Sequence, residues 1–390
     1  MSRLNVARLV TKLRNLFVLR GEVVIAPEVE DLIMPVKEME RERPEDLWLG
    51  GELLQLADGE DIVIDGDHGV VVSKPDRGRI VSARAAGDQR HAARELAIAR
   101  RTEPAETKDG RRVRILANAS TAAEWEEANR QGAEGVGLLR TELLFLESAG
   151  WPSLQQQLNV LQPVLRRLAG LTATVRLFDF GADKTPPFLR GTKTRGIELL
   201  LESPDAMRTH LAAILDAGKD TALRILVPMV TNANQLRTIR AAVYEVLAGR
   251  RAPQVGAMVE TPEAAVGADE IAAESDFLSI GTNDLTQLVL GLDREQSRRA
   301  PVLDGRVLTL IAHTMQAARA ANILVDVCGE AASDAKALRA MVGFGADELS
   351  VAPARVGQVR QWIRELSFVE CREESKKLLD EAGHARRERV

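Results

Sequence analysis

The sequence is poor in cysteine, in aromatic residues and in long apolar runs. Only two of its 390 residues are cysteines, which excludes a disulfide framework and leads us to expect a cytoplasmic protein. Aromatic residues make up 3% of the chain, so a packed interior must consist mainly of Leu, Val, Ile and Ala. Charges interrupt the first 17 residues, which argues against a signal peptide and a transmembrane span.

Positive charge is not in excess either. The formal net charge is −5, which argues against nucleic acid or an anionic membrane as a partner. Hydrophobic residues account for 45% of the chain and are sufficient for a large core. The length suggests one large domain accompanied by a smaller one.

From residue 111 onward, eight short apolar runs alternate with helical stretches. Strands that alternate with helices in this way predict a (β/α)8 barrel, also called a TIM barrel, which is an α/β fold. Residues 196–201 fit either a strand or the start of a helix, which leaves the strand count uncertain by one. The predicted strands cover residues 113–117, 135–139, 173–178, 223–230, 255–259, 277–280, 323–327 and 348–351.

The residues ahead of the barrel follow a different pattern. Apolar spacing predicts an amphipathic helix over residues 1–17 and a short strand over 21–26. Turn residues around two apolar runs, 62–64 and 69–72, predict a hairpin. We therefore predict four parts: a smaller α+β domain over 1–82, a helical linker over 83–110, the barrel over 111–370 and a tail helix over 371–390.

Two carboxylates stand just past the ends of neighbouring predicted strands. Glu260 follows the run 255–259, and Asp284 follows the run 277–280. Taken singly, the first is more typical of a solvated strand end and the second of a helix N-cap. The carboxyl ends of parallel strands meet at one edge of a barrel, where two unneutralised carboxylates would repel each other. A shared hard cation removes this repulsion, so the pair predicts a Mg²⁺ site.

Cationic side chains follow other strand ends of the same barrel. Arg140 follows the second predicted strand, Arg176 lies inside the third, and Lys184 comes shortly after it. An unpaired charge inside an apolar strand is costly, so Arg176 must face an anion, either Asp179 or a ligand. A dianionic phosphate next to a carboxylate, bridged by a divalent metal, suits such a rim. The remaining candidates are Arg195 and Arg294, in later loops.

Cys328 ends a further apolar run at the same rim. A cysteine in this position is often a small buried core residue. Its place at the end of a barrel strand, followed by Gly329 and Glu330, is equally compatible with a functional role.

Two segments of this rim resemble the signature of the phosphoenolpyruvate-utilising enzymes. They are Met258-Val-Glu-Thr-Pro262 and Ser279-Ile-Gly-Thr-Asn-Asp-Leu-Thr-Gln287. The chain is most similar to the Enzyme I family, the phosphoenolpyruvate–protein phosphotransferases of the sugar phosphotransferase system. The likeness covers residues 111–370 and is weaker over residues 21–81.

The resemblance implies a role for each residue of the rim. Cys328 would protonate the methylene carbon as enolpyruvate becomes pyruvate, while Glu260 and Asp284 would bind Mg²⁺. The family also implies a homodimer and a histidine-bearing partner, either a phosphocarrier protein or a separate phosphohistidine domain. The implied substrate-binding residues are Arg140, Arg176, Lys184, Arg195, Asn283 and Arg294.

The sequence departs from the family pattern at the phosphoryl acceptor and at one edge of the pocket. The Thr-Ser-His motif is missing, and residues 28–57 contain no histidine. His91 faintly resembles that motif, but its surroundings predict a solvated histidine on the linker helix. Glu198 stands where the family has an arginine and would weaken anion binding if it faced the site.

Three functions are compatible with these observations. We favour a Mg²⁺-dependent phosphotransferase that passes phosphate from phosphoenolpyruvate to a histidine on another chain and releases pyruvate. The alternative is a catalytically degenerate sensor or scaffold that binds phosphoenolpyruvate or pyruvate. A carbon–carbon lyase on a related barrel is a weaker hypothesis, because it has no use for Cys328.

Overall fold

The computed structural model divides the chain into two units, Met1–Leu96 and Ala97–Val390. It describes residues 62–65, 70–73, 75–181, 184–247, 249–292 and 303–387. The helix predicted over residues 1–17 and the strand over 21–26 therefore lie outside the described residues. The hairpin is confirmed, since β1 (Ile62–Asp65) and β2 (Val70–Ser73) pair antiparallel. The predicted linker helix begins earlier and ends earlier than expected, as α1 (Arg77–Ala99).

Eight parallel strands of the second unit close into a barrel. Each strand pairs with its neighbour in the chain, and the last returns to pair with the first. The predicted barrel and its count of eight strands are therefore confirmed. The strands are β3 (Arg114–Ala119), β4 (Gly135–Arg140), β5 (Thr172–Arg176), β6 (Ala222–Val227), β7 (Gln254–Val259), β8 (Phe277–Ile280), β9 (Leu324–Val327) and β10 (Glu348–Val351).

Helices connect these strands and cover the outside of the barrel. The ambiguous stretch 196–201 is a helix, not a ninth strand. The helices are α2 (Ala122–Arg130), α3 (Leu154–Leu165), α4 (Gly196–Leu201), α5 (Pro204–Ala217), α6 (Ala233–Leu247), α7 (Pro262–Val266), α8 (Ala268–Ala273), α9 (Thr282–Leu290), α10 (Gly305–Ala320), α11 (Ala335–Phe344), α12 (Val356–Glu365) and α13 (Phe368–Arg387). No helix of the described residues is long and apolar enough to cross a membrane.

Local sequence sets where several helices begin. Thr121 caps α2, and Glu124 returns a hydrogen bond to the Thr121 backbone, which completes a capping box. Ser153 and Gln156 form the same box at the start of α3. These short-range hydrogen bonds satisfy backbone N–H groups at the helix starts and set where each helix begins.

The barrel interior is partly polar. Leu138, Leu226, Met258, Phe277 and Cys328 form a small apolar cluster inside it. Glu348 is buried there with two arginines: its Oε2 lies 2.6 Å from Nη1 of the buried Arg224, and its Oε1 lies 2.6 Å from Nη1 of the partly exposed Arg114. The larger core, between the strands and the outer helices, consists mainly of Leu, Val, Ile and Ala, as the scarcity of aromatic residues predicts.

Candidate active site

A cavity of about 380 Å³ opens at the carboxyl ends of the barrel strands. Seven of the nine predicted site residues line it. Polar groups dominate its wall, which suits a small charged ligand more than an apolar one. The seven are Arg140, Arg176, Lys184, Glu260, Asn283, Asp284 and Cys328.

The two predicted metal ligands share this cavity. Glu260 is completely buried just past β7; its Oε1 accepts the Met229 N–H at 2.8 Å, and its Oε2 has no hydrogen-bond partner. Burial, and then the charges of Asp284 and Asp179, raise the pKa of Glu260 to about 8. A buried, unpartnered carboxylate oxygen beside a second carboxylate is a fitting donor set for a divalent cation.

The number of protein ligands also suits Mg²⁺. Within the described ranges, no three His, Cys, Asp or Glu side chains come together as a metal site. Mg²⁺ commonly takes only one or two carboxylates and fills its other positions with waters and phosphate oxygens. Gly281 leaves the space that this arrangement needs, since a Cβ there would lie 2.9 Å from Glu260 Oε2.

Arg176 is held in a buried ionic network. It is 3% exposed and forms ion pairs with Glu142 and, at 3.2 Å, with Asp179 Oδ2. Lys184 Nζ lies 3.2 Å from the same two carboxylates. Burial alone would raise the pKa of Glu142, but Arg176 and Lys184 hold it below its usual value. The predicted partner Asp179 is thus present, while the closer partner, Glu142, was not anticipated.

Arg140 is the cation best placed to receive a ligand. It lines the cavity at the end of β4, and among the described residues it forms no ion pair. Three cations (Arg140, Arg176 and Lys184) face five carboxylates (Glu142, Asp179, Glu260, Asp284 and Glu330), which leaves two negative charges if all are ionised. A dianionic ligand would be repelled by this excess, and a divalent cation would neutralise it.

The loop after β8 packs tightly against the loop after β9. Asn283 Oδ1 accepts the Glu330 N–H at 2.7 Å, which orients the side chain and leaves its two amide N–H donors available for an anionic ligand. A Cβ on Gly329 would lie 2.0 Å from Thr282 Oγ1 and 2.7 Å from the Thr282 nitrogen. Position 329 therefore requires glycine for this close approach.

Cys328 lies at the bottom of the cavity. Its thiol is 3% exposed, and its sulfur lies 3.2 Å from the Ser279 hydroxyl and 3.6 Å from the Ile280 carbonyl oxygen. Burial, and then the charge of Asp326, raise the pKa of this thiol well above its usual value. The sulfur therefore holds its proton strongly, as a weak carbon-protonating acid must. Cys328 is thus buried, as a core residue would be, and it also lines the cavity, while its functional role stays a prediction.

Other predicted residues lie elsewhere. Arg195 is not among the residues that line the cavity; it precedes α4 and packs against Gly181. Glu198 is exposed in the first turn of α4 and does not line the cavity either. Arg294 lies outside the described residues. Asp284 is in the first turn of α9, whose N-cap is Gly281, so the N-cap alternative is wrong.

Sequence reasoning missed several polar residues of the site, among them Glu142 and Asn118. Glu142 immediately follows Arg140 and Thr141, but strand-end position alone does not reveal which side chain turns inward. Asn118 lines the cavity at the end of β3; its Nδ2 donates to the Cys328 carbonyl, and its Oδ1 has no partner. The signal was present, because Asn118 lies one residue beyond the predicted strand 113–117.

Comparisons with known proteins agree with this geometry. The chain is 38% identical over 343 residues to a multiphosphoryl transfer protein of Rhodobacter capsulatus, which covers 85% of this chain and 42% of the relative. It is 36% identical over 330 residues to a phosphoenolpyruvate-protein phosphotransferase of Streptomyces coelicolor, covering 81% and 58%. The chain therefore spans about half the length of such relatives.

A solved structure, the HpcH/HpaI aldolase from Desulfitobacterium hafniense, aligns with 62% of this chain and 85% of its own, at 17% identity and a TM-score of 0.40. Residues 94–368, which include every barrel strand, match the model of the PEP-utilising enzymes, PEP-binding domain. The chain therefore belongs to the PEP-utilising enzyme family.

Proposed function

We propose that this chain binds phosphoenolpyruvate with Mg²⁺ and acts as a phosphotransferase of the Enzyme I type. The observation that carries the proposal is the shared cavity, which is lined by Arg140, Lys184, Glu260, Asp284 and Cys328 together. Arg140 would bind the ligand's phosphate or carboxylate, and Arg176 and Lys184 would add positive charge. Bound Mg²⁺, held by Glu260 and Asp284, would neutralise phosphate oxygens.

After phosphoryl transfer, a protein side chain would protonate the enolate that remains in the site. Loss of the phosphoryl group leaves an enolate of pyruvate, whose methylene carbon needs a proton. Cys328 is the proton donor nearest the cavity floor, and its raised pKa suits a donor that yields only to a strongly basic carbon. In this proposal the phosphoryl group passes to a histidine on a phosphocarrier protein or on a separate phosphohistidine domain.

Calorimetric titration of phosphoenolpyruvate with and without Mg²⁺ tests the binding half of this proposal. We expect Mg²⁺-dependent binding that weakens at least about tenfold in Arg140→Ala, because a hydrogen bond to a charged group contributes about 1.5–3 kcal/mol. Arg140 is preferable to Arg176 for this test, since removing Arg176 would leave Glu142 buried and unpaired.

Arg237→Ala is the matched control. Arg237 lies on α6 and pairs with Glu274 on the outer surface, away from the cavity. It should leave the affinity unchanged. Absence of binding in the wild-type protein, with or without Mg²⁺, would contradict the proposal.

A sensor or scaffold remains the second candidate, and the missing phosphohistidine motif favours it. Both candidates predict binding, so the discriminating measurement is solvent hydrogen exchange into the methyl group of pyruvate. Exchange that requires Cys328 supports an enzyme, because a binding protein has no need for a carbon acid. Binding without exchange would favour the sensor.

A further inference from the structure

A buried carboxyl group lies beneath Cys328, and the proposed function gives it no role. Asp326 is 3% exposed and lies two residues before Cys328 on β9, so both side chains face the barrel interior. Ser279 is completely buried and pairs with Asp326 in the register of β8 and β9. The three side chains therefore meet below the floor of the cavity.

The Ser279 hydroxyl joins the carboxyl group to the thiol. Its oxygen lies 2.9 Å from Asp326 Oδ2 and 3.2 Å from Cys328 Sγ. A hydroxyl carries one proton and can donate to only one of these partners at a time. Donation to the sulfur therefore leaves the Ser279 oxygen free to accept a proton from Asp326.

The sulfur has no other proton-bearing partner in the described part of the chain. Its second hydrogen-bond partner is the Ile280 carbonyl oxygen at 3.6 Å, which carries no proton. The thiol is 3% exposed, and that exposure faces the cavity. A ligand that fills the cavity would therefore separate the sulfur from water at the moment it loses its proton.

We propose that Asp326, acting through the Ser279 hydroxyl, returns a proton to the Cys328 sulfur after the thiol has protonated the substrate carbon. The inference rests on the proposed function, since it needs a thiol that gives up its proton. Asp326 does not touch the reacting atoms and is a positioning residue that acts only through Ser279.

The proton transfers balance in two steps. First, the Cys328 S–H bond breaks as a C–H bond forms at the methylene carbon of the enolate, which leaves pyruvate and a thiolate. Then the Ser279 Oγ–H proton moves to sulfur while the Asp326 Oδ2–H proton moves to Oγ, which leaves a carboxylate. That carboxylate regains one proton from solvent through the same path after pyruvate leaves.

The electrostatics of the barrel interior favour this direction. Burial, and then the charge of Glu348, raise the pKa of Asp326 to about 7, while Ser350, Ser279 and Arg224 act to lower it. The pKa of the Cys328 thiol lies higher still. A proton therefore moves downhill from the Asp326 carboxyl to a Cys328 thiolate. The charged and polar groups around Asp326 are Ser279 on β8, Arg224 on β6, Ser350 and Glu348 on β10, and Cys328.

Deuterium incorporation from heavy water into the methyl group of pyruvate, followed by proton NMR with Mg²⁺ present, tests the relay. Cys328→Ser supplies the background rate. We expect Asp326→Asn and Ser279→Ala to lower the exchange rate by about a hundredfold, the lower end of the range for general acid–base catalysis. The affinity for pyruvate should stay unchanged in both variants. Ser279→Thr keeps the hydroxyl and should restore much of the rate.

The pH profile separates a relay from a purely structural role. Exchange into pyruvate begins with the relay in reverse, because Cys328 must pass its proton through Ser279 to an ionised Asp326 before the sulfur can take a proton from the methyl group. Wild-type exchange should therefore rise as pH rises through about 7 and then level off. This inflection should be absent in Asp326→Asn. Ser350→Ala is the matched control, because Ser350 Oγ lies 2.8 Å from Asp326 Oδ1 but does not contact the sulfur. Its loss should keep the inflection and move it to higher pH.

Two other results are decisive. Wild-type exchange that Asp326→Asn leaves unchanged, with the same inflection, would overturn the relay while leaving the proposed function intact. Absence of exchange in the wild type would instead contradict the proposed function.

The rate of Cys328 alkylation against pH, in a Cys371→Ser background, then decides whether the carboxyl and thiol are coupled. Coupling predicts faster alkylation of Asp326→Asn at a given pH, and identical profiles would overturn it.

Discussion

At the scale of single residues, charged neighbours determine which buried carboxyl groups stay ionised. Glu142 stays ionised because Arg176 and Lys184 face it, whereas the charged groups around Glu260 are mainly carboxylates. Two buried glutamates near one cavity thus have opposite pKa shifts. Each has one oxygen without a hydrogen-bond partner, but Glu142 pairs with two cations, whereas Glu260 forms no ion pair among the described residues, as expected for a ligand that awaits a cation.

The raised pKa of Glu260 predicts pH-dependent Mg²⁺ binding. Below about pH 8 the carboxyl is protonated, and Mg²⁺ must displace that proton. As the pH increases toward that pKa, the Mg²⁺ affinity should therefore increase by about tenfold per pH unit. Above the pKa it should level off, because only one proton is linked to binding. Calorimetry in two buffers with different heats of ionisation would measure the released proton.

Glu260→Gln is the control for this prediction. It keeps the shape of the side chain and removes the titrating group, so Mg²⁺ binding should be weak at every pH. Affinity of the wild-type protein that does not change with pH would show that Glu260 does not gain or lose a proton on binding.

Sequence alone could identify residues that follow strands, but not their partners. Glu260, Asp284 and Cys328 were brought together by the rule that barrel strand ends share one rim. Glu142 and Ser279 escaped notice because their roles depend on which neighbour they contact across the barrel. Asp326 interrupts an apolar run, and only its two serine partners show how the interior accommodates it.

At the scale of elements, apolar runs predicted the strands well and their ends less well. Two predicted strands, 173–178 and 223–230, ran past the observed ends of β5 (Arg176) and β6 (Val227). Leu177, Phe178 and Val230 are buried without being in a strand. An apolar pattern indicates burial, whereas a strand also requires hydrogen bonds to its neighbours. Because the loops just after these strands are buried as well, the predicted strands are too long.

Helix α12 is tied to the start of the barrel through Arg360. This arginine is 2% exposed; it donates to the Glu103 carbonyl at 2.7 Å and to the Gly132 carbonyl. Arg360→Ala removes two charged hydrogen bonds and leaves the Glu103 and Gly132 carbonyls without these donors. We expect a loss of about 3 kcal/mol in the free energy of unfolding, measured by urea denaturation.

Arg372→Ala, at an exposed position of α13, should change that free energy by less than about 0.5 kcal/mol. Equal stability of Arg360→Ala and the wild-type protein would show that these buried contacts contribute nothing net.

At the scale of the whole molecule, the missing phosphoryl acceptor matters most. Among the residues whose side chains the structure describes, we assign no histidine as the phosphoryl acceptor. His210 is buried against Phe178, and His313 lies on α10 near Asp269. Burial lowers the pKa of His210 to about 3, so it stays neutral. The domain boundaries, the homodimer and the cytoplasmic location stay predictions.

We predict phosphoryl transfer to a separate chain. Radiolabelled phosphoenolpyruvate, Mg²⁺ and this protein should label a histidine-bearing phosphocarrier or phosphohistidine domain, with acid-labile label typical of phosphohistidine. Arg140→Ala should lower the rate at least about tenfold, in line with the contact that it loses. Label that stays on this chain would contradict transfer in trans.

The close approach at Gly329 divides the rim into two halves with different freedom to change. Because the loops after β8 and β9 touch almost backbone to backbone, Asp284 and Cys328 form one fixed block. An engineer who wants another substrate could not shift the metal ligand without also shifting the thiol. New specificity would have to come from the opposite half, where Arg140 can be exchanged without disturbing an ion pair among the described residues. The metal ligand and the thiol can thus change position only together, whereas the residue that selects the ligand can change independently of them.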